Sequence, residues 1–170
     1  SLRSLFEINS NKNFVTINDC LSDIGKPTLD DDFQFYKNRA ESDYQKYLRN
    51  NSKKFNHHFL LKMSDKEKDF IKFIPPGGNY KDIPDEISTP RILRIKKTGG
   101  RTTTYGRLHP EKFSATINTY FNRPNVGTNF HHEVDRLITP REALRIQSFP
   151  DNFVISYSSK RSLFRQIGNA

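Results

Sequence analysis

The segment Thr139-Pro140-Arg141-Glu142 gives the strongest local structural signal in this sequence. Threonine can cap the amino-terminal end of a helix, proline suits the first helical position, and a glutamate at the third position can complete a capping box. Apolar residues follow at helical spacing before a Phe-Pro pair: Ala143, Leu144 and Ile146. We therefore predict a helix of roughly two to three turns that begins directly after Thr139.

Further helices are predicted nearer the amino-terminal end. Thr16–Asp19 has the pattern of a capping box, which favours a short helix over 17–24. Ser42–Arg49 carries tyrosines and a leucine on one side, as an amphipathic helix does. Ser64–Glu67 forms another capping box, and the Pro-Pro-Gly-Gly run at 75–78 must end the helix that it opens. The side chains of that helix expected to face the core are Phe70, Phe73 and Ile74.

The positive charge of the sequence is concentrated in one stretch. Basic residues number 28 against 19 acidic ones, which gives a formal net charge of +9, and the pI is near 9.7. Such a balance favours a polyanionic partner. Between residues 91 and 130 the only acidic residue is Glu111, and the basic residues are Arg91, Arg94, Lys96, Lys97, Arg101, Arg107, Lys112 and Arg123. On charge alone, contact with DNA and a solvated basic β-hairpin are equally good interpretations.

The same stretch is β-prone rather than helical in character. Runs at 92–95, 102–106 and 115–120 are separated by glycines, a proline and charges. Because 34% of residues are hydrophobic and the mean hydropathy is −0.80, the core should be thin. We predict a small, loop-rich α+β domain with short strands or hairpins and a few short helices. Its expected parts are a helical and irregular part over 1–90, a basic β-rich part over 91–135, and a final part over 136–170.

Few residues suit metal or thiol chemistry. Cys20 is the single cysteine, which excludes an internal disulfide, and no Cys or His spacing typical of a zinc site is present. The adjacent histidines at 57–58 and 131–132 are unlike a site in which ligands converge on one ion, so no metal is predicted. No apolar run reaches the roughly 20 residues that a membrane-spanning helix needs, and no signal peptide is recognisable, so we expect a cytoplasmic, prokaryotic protein.

Two segments near the carboxyl end resemble those of a known family. Residues 136–151 (Arg-Leu-Ile-Thr-Pro-Arg-Glu-Ala-Leu-Arg-Ile-Gln-Ser-Phe-Pro-Asp) and 166–170 (Gln-Ile-Gly-Asn-Ala) resemble the ninth conserved motif and the start of the tenth in the DNA (cytosine-5) methyltransferases. The resemblance extends forward to about residue 13, where Val15–Ile24 looks like the stretch that often follows the eighth motif. His132 departs from the family, which commonly has proline there, so the turn is expected to differ.

The order of residues 95–131 resembles the target recognition region of the same family, with Thr116-Ile117 where the family has Thr-Leu or Thr-Ile. Glycines let the backbone approach phosphates or base edges, arginine can read guanine with two hydrogen bonds, and threonine or tyrosine can contact phosphates. The resemblance therefore favours contact with double-stranded DNA. The expected DNA-contacting residues are Lys96, Lys97, Gly99, Gly100, Arg101, Thr103, Tyr105, Arg107, Thr116 and Ile117.

The resemblance also implies what this chain does not supply. The family's Pro-Cys-Gln loop, Glu-Asn-Val segment and Phe-x-Gly-x-Gly turn do not occur here. We therefore expect no catalytic residue, no Rossmann-like catalytic domain and no methyl transfer by the isolated chain, with Cys20 a packing cysteine. The cofactor of the complete enzyme is S-adenosylmethionine, for which the candidate contacts are Gly168, Asn169 and Ala170, without tight binding to this chain alone. Residues expected to brace the recognition region are Arg136, Thr139, Arg141, Glu142 and Gln147.

Two functions follow from this interpretation. The first is the carboxyl-terminal recognition fragment or subunit of a DNA (cytosine-5) methyltransferase, which works with the catalytic amino-terminal half of the same enzyme. The alternative is a non-catalytic DNA-binding remnant or regulator. A neighbouring reading frame that encodes the missing patterns would discriminate between them.

Overall fold

The computed structural model describes residues 14–36 and 38–170, which form short helices and strands joined by long irregular segments. The α-helices of these residues are α1 (Ile17–Leu21), α2 (Asp43–Arg49), α3 (Asp65–Ile71), α4 (Pro90–Thr98), α5 (Pro140–Ile146) and α6 (Lys160–Gly168). The 3-10 turns Tyr80–Asp82 and Asp85–Ile87 lie between α3 and α4. No helix in these ranges is long and apolar enough to cross a membrane.

The strands are short and pair two by two. β1 (Gln34–Phe35) is antiparallel to β2 (Lys54–Phe55), and β3 (Gly106–Arg107) is parallel to β4 (Thr128–Phe130). Gly106 lies opposite Thr128, and a Cβ at Gly106 would come within 2.6 Å of the Thr128 Oγ1. Only glycine therefore permits this close approach of β3 and β4.

Local capping determines where several helices begin. Each capping side chain accepts a hydrogen bond from the N–H of the third helical residue, and the side chain of that residue accepts one from the capping residue's own N–H. These capping boxes occur at Thr16, Ser42, Ser64 and Thr139. The predicted helix starts at these positions are confirmed. α1 nevertheless ends at Leu21 rather than at residue 24.

The β-prone run at 92–95 was a wrong prediction, because these residues lie in α4. Thr89 caps this helix and Pro90 occupies its first turn, the same signal as at Thr139-Pro140. Cap and proline set helical geometry at the start, and Ile92 is then buried on the face towards the core. This local signal outweighs the β propensity of the isoleucines. Residues 115–120 form no strand either.

One residue of α3's predicted apolar face also lies elsewhere than expected. Phe70 and Ile74 are buried, whereas Phe73 is 42% exposed. α3 ends at Ile71, so helical periodicity no longer determines which way Phe73 points.

Two apolar clusters hold the described residues together. The larger cluster lies between α1, α5 and α6 and contains, among others, Ile17, Leu21, Phe59, Ile117, Leu144 and Ile167. The smaller cluster packs around α3 and α4 and contains Phe70, Ile74, Tyr80, Ile83, Ile92 and Tyr105. The basic stretch 91–130 therefore runs from the smaller cluster to the larger one and returns to the smaller cluster at Phe130.

Candidate nucleic-acid interface

The carboxyl end of α4 presents two lysines with different surroundings. Lys96 is half-buried, forms an ion pair with Asp85 at 2.6 Å, and donates a hydrogen bond to the carbonyl of Ile83. Lys97 is exposed and has no ion pair with any residue that the structure describes. Of these two predicted DNA-contacting lysines, Lys97 is the one available to an external anion.

The turn after α4 is fixed by the buried Tyr80. Gly99 ends the helix at a φ of 81°, a left-handed value that favours glycine. The Tyr80 hydroxyl donates to the carbonyl of Gly100 at 3.2 Å and accepts from its N–H at 3.0 Å. Beyond this anchor Arg101 is exposed and Thr103 is half-buried. The anchor thereby holds Arg101 at a defined place on the surface.

Three of the predicted DNA-contacting residues have internal positions instead. Tyr105 is buried edge-on against Phe70, with ring centroids 5.4 Å apart. Ile117 is part of the larger apolar cluster. Arg107 is buried, and its guanidinium donates to three backbone carbonyls and to Asp135 at 2.5 Å. Apolar packing holds Tyr105 and Ile117, and the cost of leaving its hydrogen bonds unmade holds Arg107, so these side chains brace the fold rather than face a ligand.

Thr116, by contrast, is exposed at the edge of a groove of about 400 Å³. The groove lies between the segments 14–17 and 113–117 and the end of α5, and its lining includes Cys20 and Gln147. Thr116 is therefore placed where its hydroxyl can meet a ligand.

The first of the candidate cofactor residues, Gly168, lies against residues 118–119, which directly follow the segment that lines the groove. Gly168 is the last residue of α6, and a Cβ there would overlap the backbone of Asn118 and Thr119. Gly168 is thus required for packing, because it lets α6 touch the 118–119 backbone directly. Asn169 and Ala170, which follow it, are exposed.

Gln147 joins these elements. Its side-chain amide donates to the carbonyl of Ile167 at 3.1 Å, which connects the end of α5 to α6. The structure therefore brings together the predicted residues Thr116, Gln147 and Gly168 beside the larger cluster. The turn 97–103 packs with the smaller cluster instead.

The predicted braces at the start of α5 are buried charges. Arg136 donates two hydrogen bonds to the Glu142 carboxylate, at 2.8 and 2.7 Å. Burial acts to raise the pKa of Glu142, but the Arg136 charge and its hydrogen bonds hold that pKa well below its usual range. Thr139 accepts from the Glu142 N–H and lies 2.8 Å from Nδ1 of His58. Burial lowers the pKa of His58 to about 4, so its ring is neutral at pH 7.

Two fully buried arginines on α5 connect distant segments. Arg141 donates to the backbone carbonyl of Asn56 at 2.9 Å and to its side chain at 2.8 Å. Arg145 pairs with Asp23 at 2.5 Å and with Asp151 at 2.9 and 2.5 Å. Sequence reasoning missed Arg145, because a charged residue of an amphipathic helix is normally placed on its solvent face. Its spacing of one helical turn from Arg141 was the available signal.

Cys20 lacks the surroundings of a nucleophile. It is 5% exposed, and burial raises the pKa of its thiol to about 12 although the nearby Arg145 acts in the opposite direction. Such a thiol is protonated at neutral pH, whereas a nucleophilic cysteine needs its thiolate. Among the described residues, no group of three or more His, Cys, Asp or Glu side chains is arranged to hold a metal ion.

Comparison with known proteins identifies the family. The family model for C-5 cytosine-specific DNA methylase matches residues 5–170, and the chain belongs to this family. It is 31% identical over 178 residues to DNA (cytosine-5)-methyltransferase 1A of Oryza sativa subsp. japonica, covering 92% of this chain and 11% of that protein. It is 39% identical over 111 residues to the Type II methyltransferase M.NgoFVII of Neisseria gonorrhoeae, covering 65% of this chain and 27% of that protein. The chain thus spans between about a tenth and about a quarter of the length of these relatives.

A similar fold occurs in the crystal structure of a candidate DNA modification methyltransferase encoded within an E. coli prophage. The TM-score is 0.60 at 21% identity, and the match covers 92% of this chain and 42% of that one. These findings correct the predicted fold class, a recognition domain without the Rossmann-like catalytic domain. The family model of the methylase domain itself covers residues 5–170, so the chain belongs to that domain and is not a module separate from it. Missing patterns of single loops do not define a domain boundary, which is why sequence reasoning failed here.

Proposed function

We propose that the described residues provide a DNA-recognition surface within the methylase domain of a DNA (cytosine-5) methyltransferase. Such an enzyme transfers a methyl group from S-adenosylmethionine to C5 of a cytosine in a specific double-stranded site. The observation that carries the proposal is the fixed basic turn after α4, where Lys97 and Arg101 are exposed beside Gly99 and Gly100. A glycine backbone can approach a phosphate closely, and cations without a carboxylate partner can neutralise it.

Thr116 is a second proposed contact, which lies beside the larger cluster and apart from the turn after α4. Its exposed hydroxyl can donate a hydrogen bond to a phosphate, while the adjacent Ile117 anchors the segment in the larger cluster. Phosphate contacts of this kind position the duplex, and exposed side chains such as Arg101 can then read base edges. Tyr105, Arg107 and Ile117 are left out of the proposed contact surface because they are buried.

The chemical step in this proposal relies on residues outside the surface described above. Attack on cytosine needs a thiolate, and the single cysteine of the sequence, Cys20, is buried with its pKa raised to about 12. We infer that the rest of the enzyme supplies the nucleophile, either in the same chain or as a separate subunit. Asn169 and Ala170 are the residues here that would border S-adenosylmethionine, with Gly168 fixing their position.

The salt dependence of DNA binding tests this surface. With about six phosphate contacts, affinity for a duplex should fall on the order of 10³-fold between about 50 and 200 mM salt. The double variant Lys97→Ala/Arg101→Ala should flatten that dependence. A matched control is Lys53→Ala/Lys62→Ala, which removes the same charge from other exposed positions. Equal slopes for the two double variants would place the DNA surface elsewhere.

A reconstitution experiment tests the assignment to an enzyme. The chain is mixed with the remainder of its own enzyme, and methylation is scored by protection of DNA from a methylation-sensitive nuclease. We expect protection from the mixture and none from the chain alone, because Cys20 cannot act as the nucleophile. DNA binding without any restored protection would favour a non-catalytic remnant or regulator.

A further inference from the structure

A cleft of about 660 Å³ lies between α6 and the turn that follows Thr119. Three arginines line it, Arg123 from the turn and Arg161 and Arg165 from α6. Polar groups of Asn122 and Asn169 complete the lining near them. The cleft therefore gathers positive charge from two segments that are distant in the sequence.

The fold accounts for the direction of the two helical arginines. Leu163 and Ile167 of α6 are fully buried in the larger cluster, which turns the opposite side of the helix towards solvent. Arg161 and Arg165 are one helical turn apart on that exposed side. Both guanidinium groups thus extend over the same part of the surface.

The two walls of the cleft are held rigidly together. Phe121 of the turn packs edge-on against Phe164 of α6, with ring centroids 5.5 Å apart. The direct contact of Gly168 with the backbone of Asn118 and Thr119 fixes the same two segments at the next turn of the helix. A ligand in the cleft would consequently meet a preformed site.

The cleft contains positive charge without a balancing carboxylate. No aspartate or glutamate lines it, and none of the three arginines has an ion pair within residues 14–36 and 38–170. The Arg123 guanidinium lies 4.9 Å from the centre of the Tyr120 ring, an interaction that leaves its N–H edge free to donate. Three guanidinium groups line the same cleft, so an anion bound among them would reduce their mutual repulsion.

We propose that this cleft binds a phosphodiester group of the DNA strand, an inference that rests on the proposed function. Guanidinium groups match phosphate oxygens with pairs of parallel hydrogen bonds, which favours a phosphoryl group over a simple carboxylate. The location supports DNA as its source, because the cleft begins at Thr119, three residues after the proposed contact at Thr116. The strand held at Thr116 would continue into the cleft.

Removal of the helical arginines tests the assignment. The variant Arg161→Ala/Arg165→Ala should bind duplex DNA more weakly and lower the salt slope by about 1 to 2, roughly one for each lost phosphate contact. Arg161→Lys/Arg165→Lys keeps the charge but loses the paired hydrogen bonds, so it should retain part of the affinity. Both positions changed here carry exposed side chains on α6, and a thermal melt verifies that the helix is intact.

The outcomes separate this proposal from the previous one. A loss of binding in Lys97→Ala/Arg101→Ala together with wild-type binding in Arg161→Ala/Arg165→Ala overturns the cleft and leaves the proposed function standing. If neither double variant loses DNA binding, both the cleft proposal and the proposed function are overturned.

The source of the phosphoryl group is tested with inorganic phosphate, titrated against the chain at constant ionic strength. We expect far weaker binding than for the duplex. Tight, arginine-dependent binding of free phosphate without any effect of the variants on DNA affinity would overturn the assignment to DNA. So would variants that bind DNA normally and fail only in reconstitution with the rest of the enzyme, since the cleft would then be a protein interface.

Discussion

Arg145 is fully buried, and each of its interactions gives a hydrogen-bond partner to a polar group that is itself buried away from water. Asp23 and Asp151 are its carboxylate partners, and the backbone carbonyl of Cys20 accepts a further bond at 2.9 Å. Burial alone would lower the pKa of this guanidinium. The two carboxylates more than offset that effect and raise the pKa above its usual value, so the side chain stays charged. Such a network is most sensitive to the loss of one member, because the remaining charges stay buried.

We expect Arg145→Ala to lower the free energy of unfolding by about 3–5 kcal/mol, since it removes from two buried carboxylates a cation that Arg49 and Tyr36 only partly replace. Arg145→Lys should lose less, because it keeps the charge but cannot make the same set of hydrogen bonds. Urea unfolding measures both. The exposed Arg165→Ala serves as the control and should change stability little. A loss of less than about 1 kcal/mol for Arg145→Ala would show that the network is not coupled to folding.

Gly168 permits a second test at this scale. Alanine normally stabilises a helix relative to glycine by up to about 1 kcal/mol. We expect Gly168→Ala to be destabilising instead, because the added methyl group would overlap the backbone of Asn118 and Thr119. Denaturant unfolding measures whether the free energy of unfolding falls or rises. A more stable variant would mean that α6 and the 118–119 segment are not in direct contact.

At the level of elements, α5 is held at its start by a cap that also serves as part of a buried network. The Thr139 hydroxyl accepts from the Glu142 N–H while it contacts His58, and the Glu142 carboxylate accepts from the Thr139 N–H at 2.8 Å. Local sequence was sufficient to predict this helix start. It could not indicate that His58, far away in the sequence, would lie beside the cap.

Thr139→Ala should therefore cost at least the roughly 1 kcal/mol typical of a lost cap, and more because His58 would lose its side-chain hydrogen bond to Thr139. Thr139→Ser should recover most of that loss. Thr139→Asp should recover less, because its carboxylate would lie next to the buried Glu142. Thermal unfolding of the three variants checks the order, and identical melting for all three would show that the cap does not determine stability.

The buried histidines beside α5 predict a pH dependence of stability. Burial lowers the pKa of His58 to about 4 and that of His131 to about 3, from an ordinary value of 6.5. Below pH 6.5 the unfolded chain takes up protons that the folded chain does not, so stability should fall as the pH decreases from 6.5 towards 4. Above pH 6.5 these two histidines should have no further effect on stability.

Urea unfolding at several pH values measures this dependence. His58→Gln should lessen the slope most clearly between pH 6.5 and about 5, because near pH 4.5 the unfolded form of Glu142 also takes up protons. An unchanged slope in His58→Gln would show that this ring is not held neutral by the fold.

At the level of the whole molecule, the sequence predicted local features better than it predicted their arrangement. Capping boxes at Thr16 and Thr139 lie within a few residues and could be found by inspection. The burial of Arg107 depends on the carbonyls of His131 and Ile71, which are 24 and 36 residues away and which no local pattern reveals. In α4 two local signals disagreed. The Thr89-Pro90 cap favoured a helix and the β-prone run favoured a strand, and the segment is helical.

The excess of positive charge gives a prediction for the whole chain. If the surface binds DNA, a duplex should raise the melting temperature, because a ligand that binds only the folded state stabilises it. Added salt should remove the effect, since the contacts are with phosphates. Differential scanning fluorimetry with and without duplex measures both. A shift that persists unchanged at high salt would contradict an electrostatic surface.

The long-range side-chain contacts of α5 have a consequence for synthesis of the protein. Asp23 and Arg145 are separated by 122 residues, and Asn56 and Arg141 by 85. On the ribosome, Asp23 emerges long before its partner is made. The segment around Asn56 and α1 therefore remain exposed to solvent until α5 has been synthesised. Final packing should therefore occur late, after α5 has left the exit tunnel, and until then the apolar side of α1 is available to chaperones.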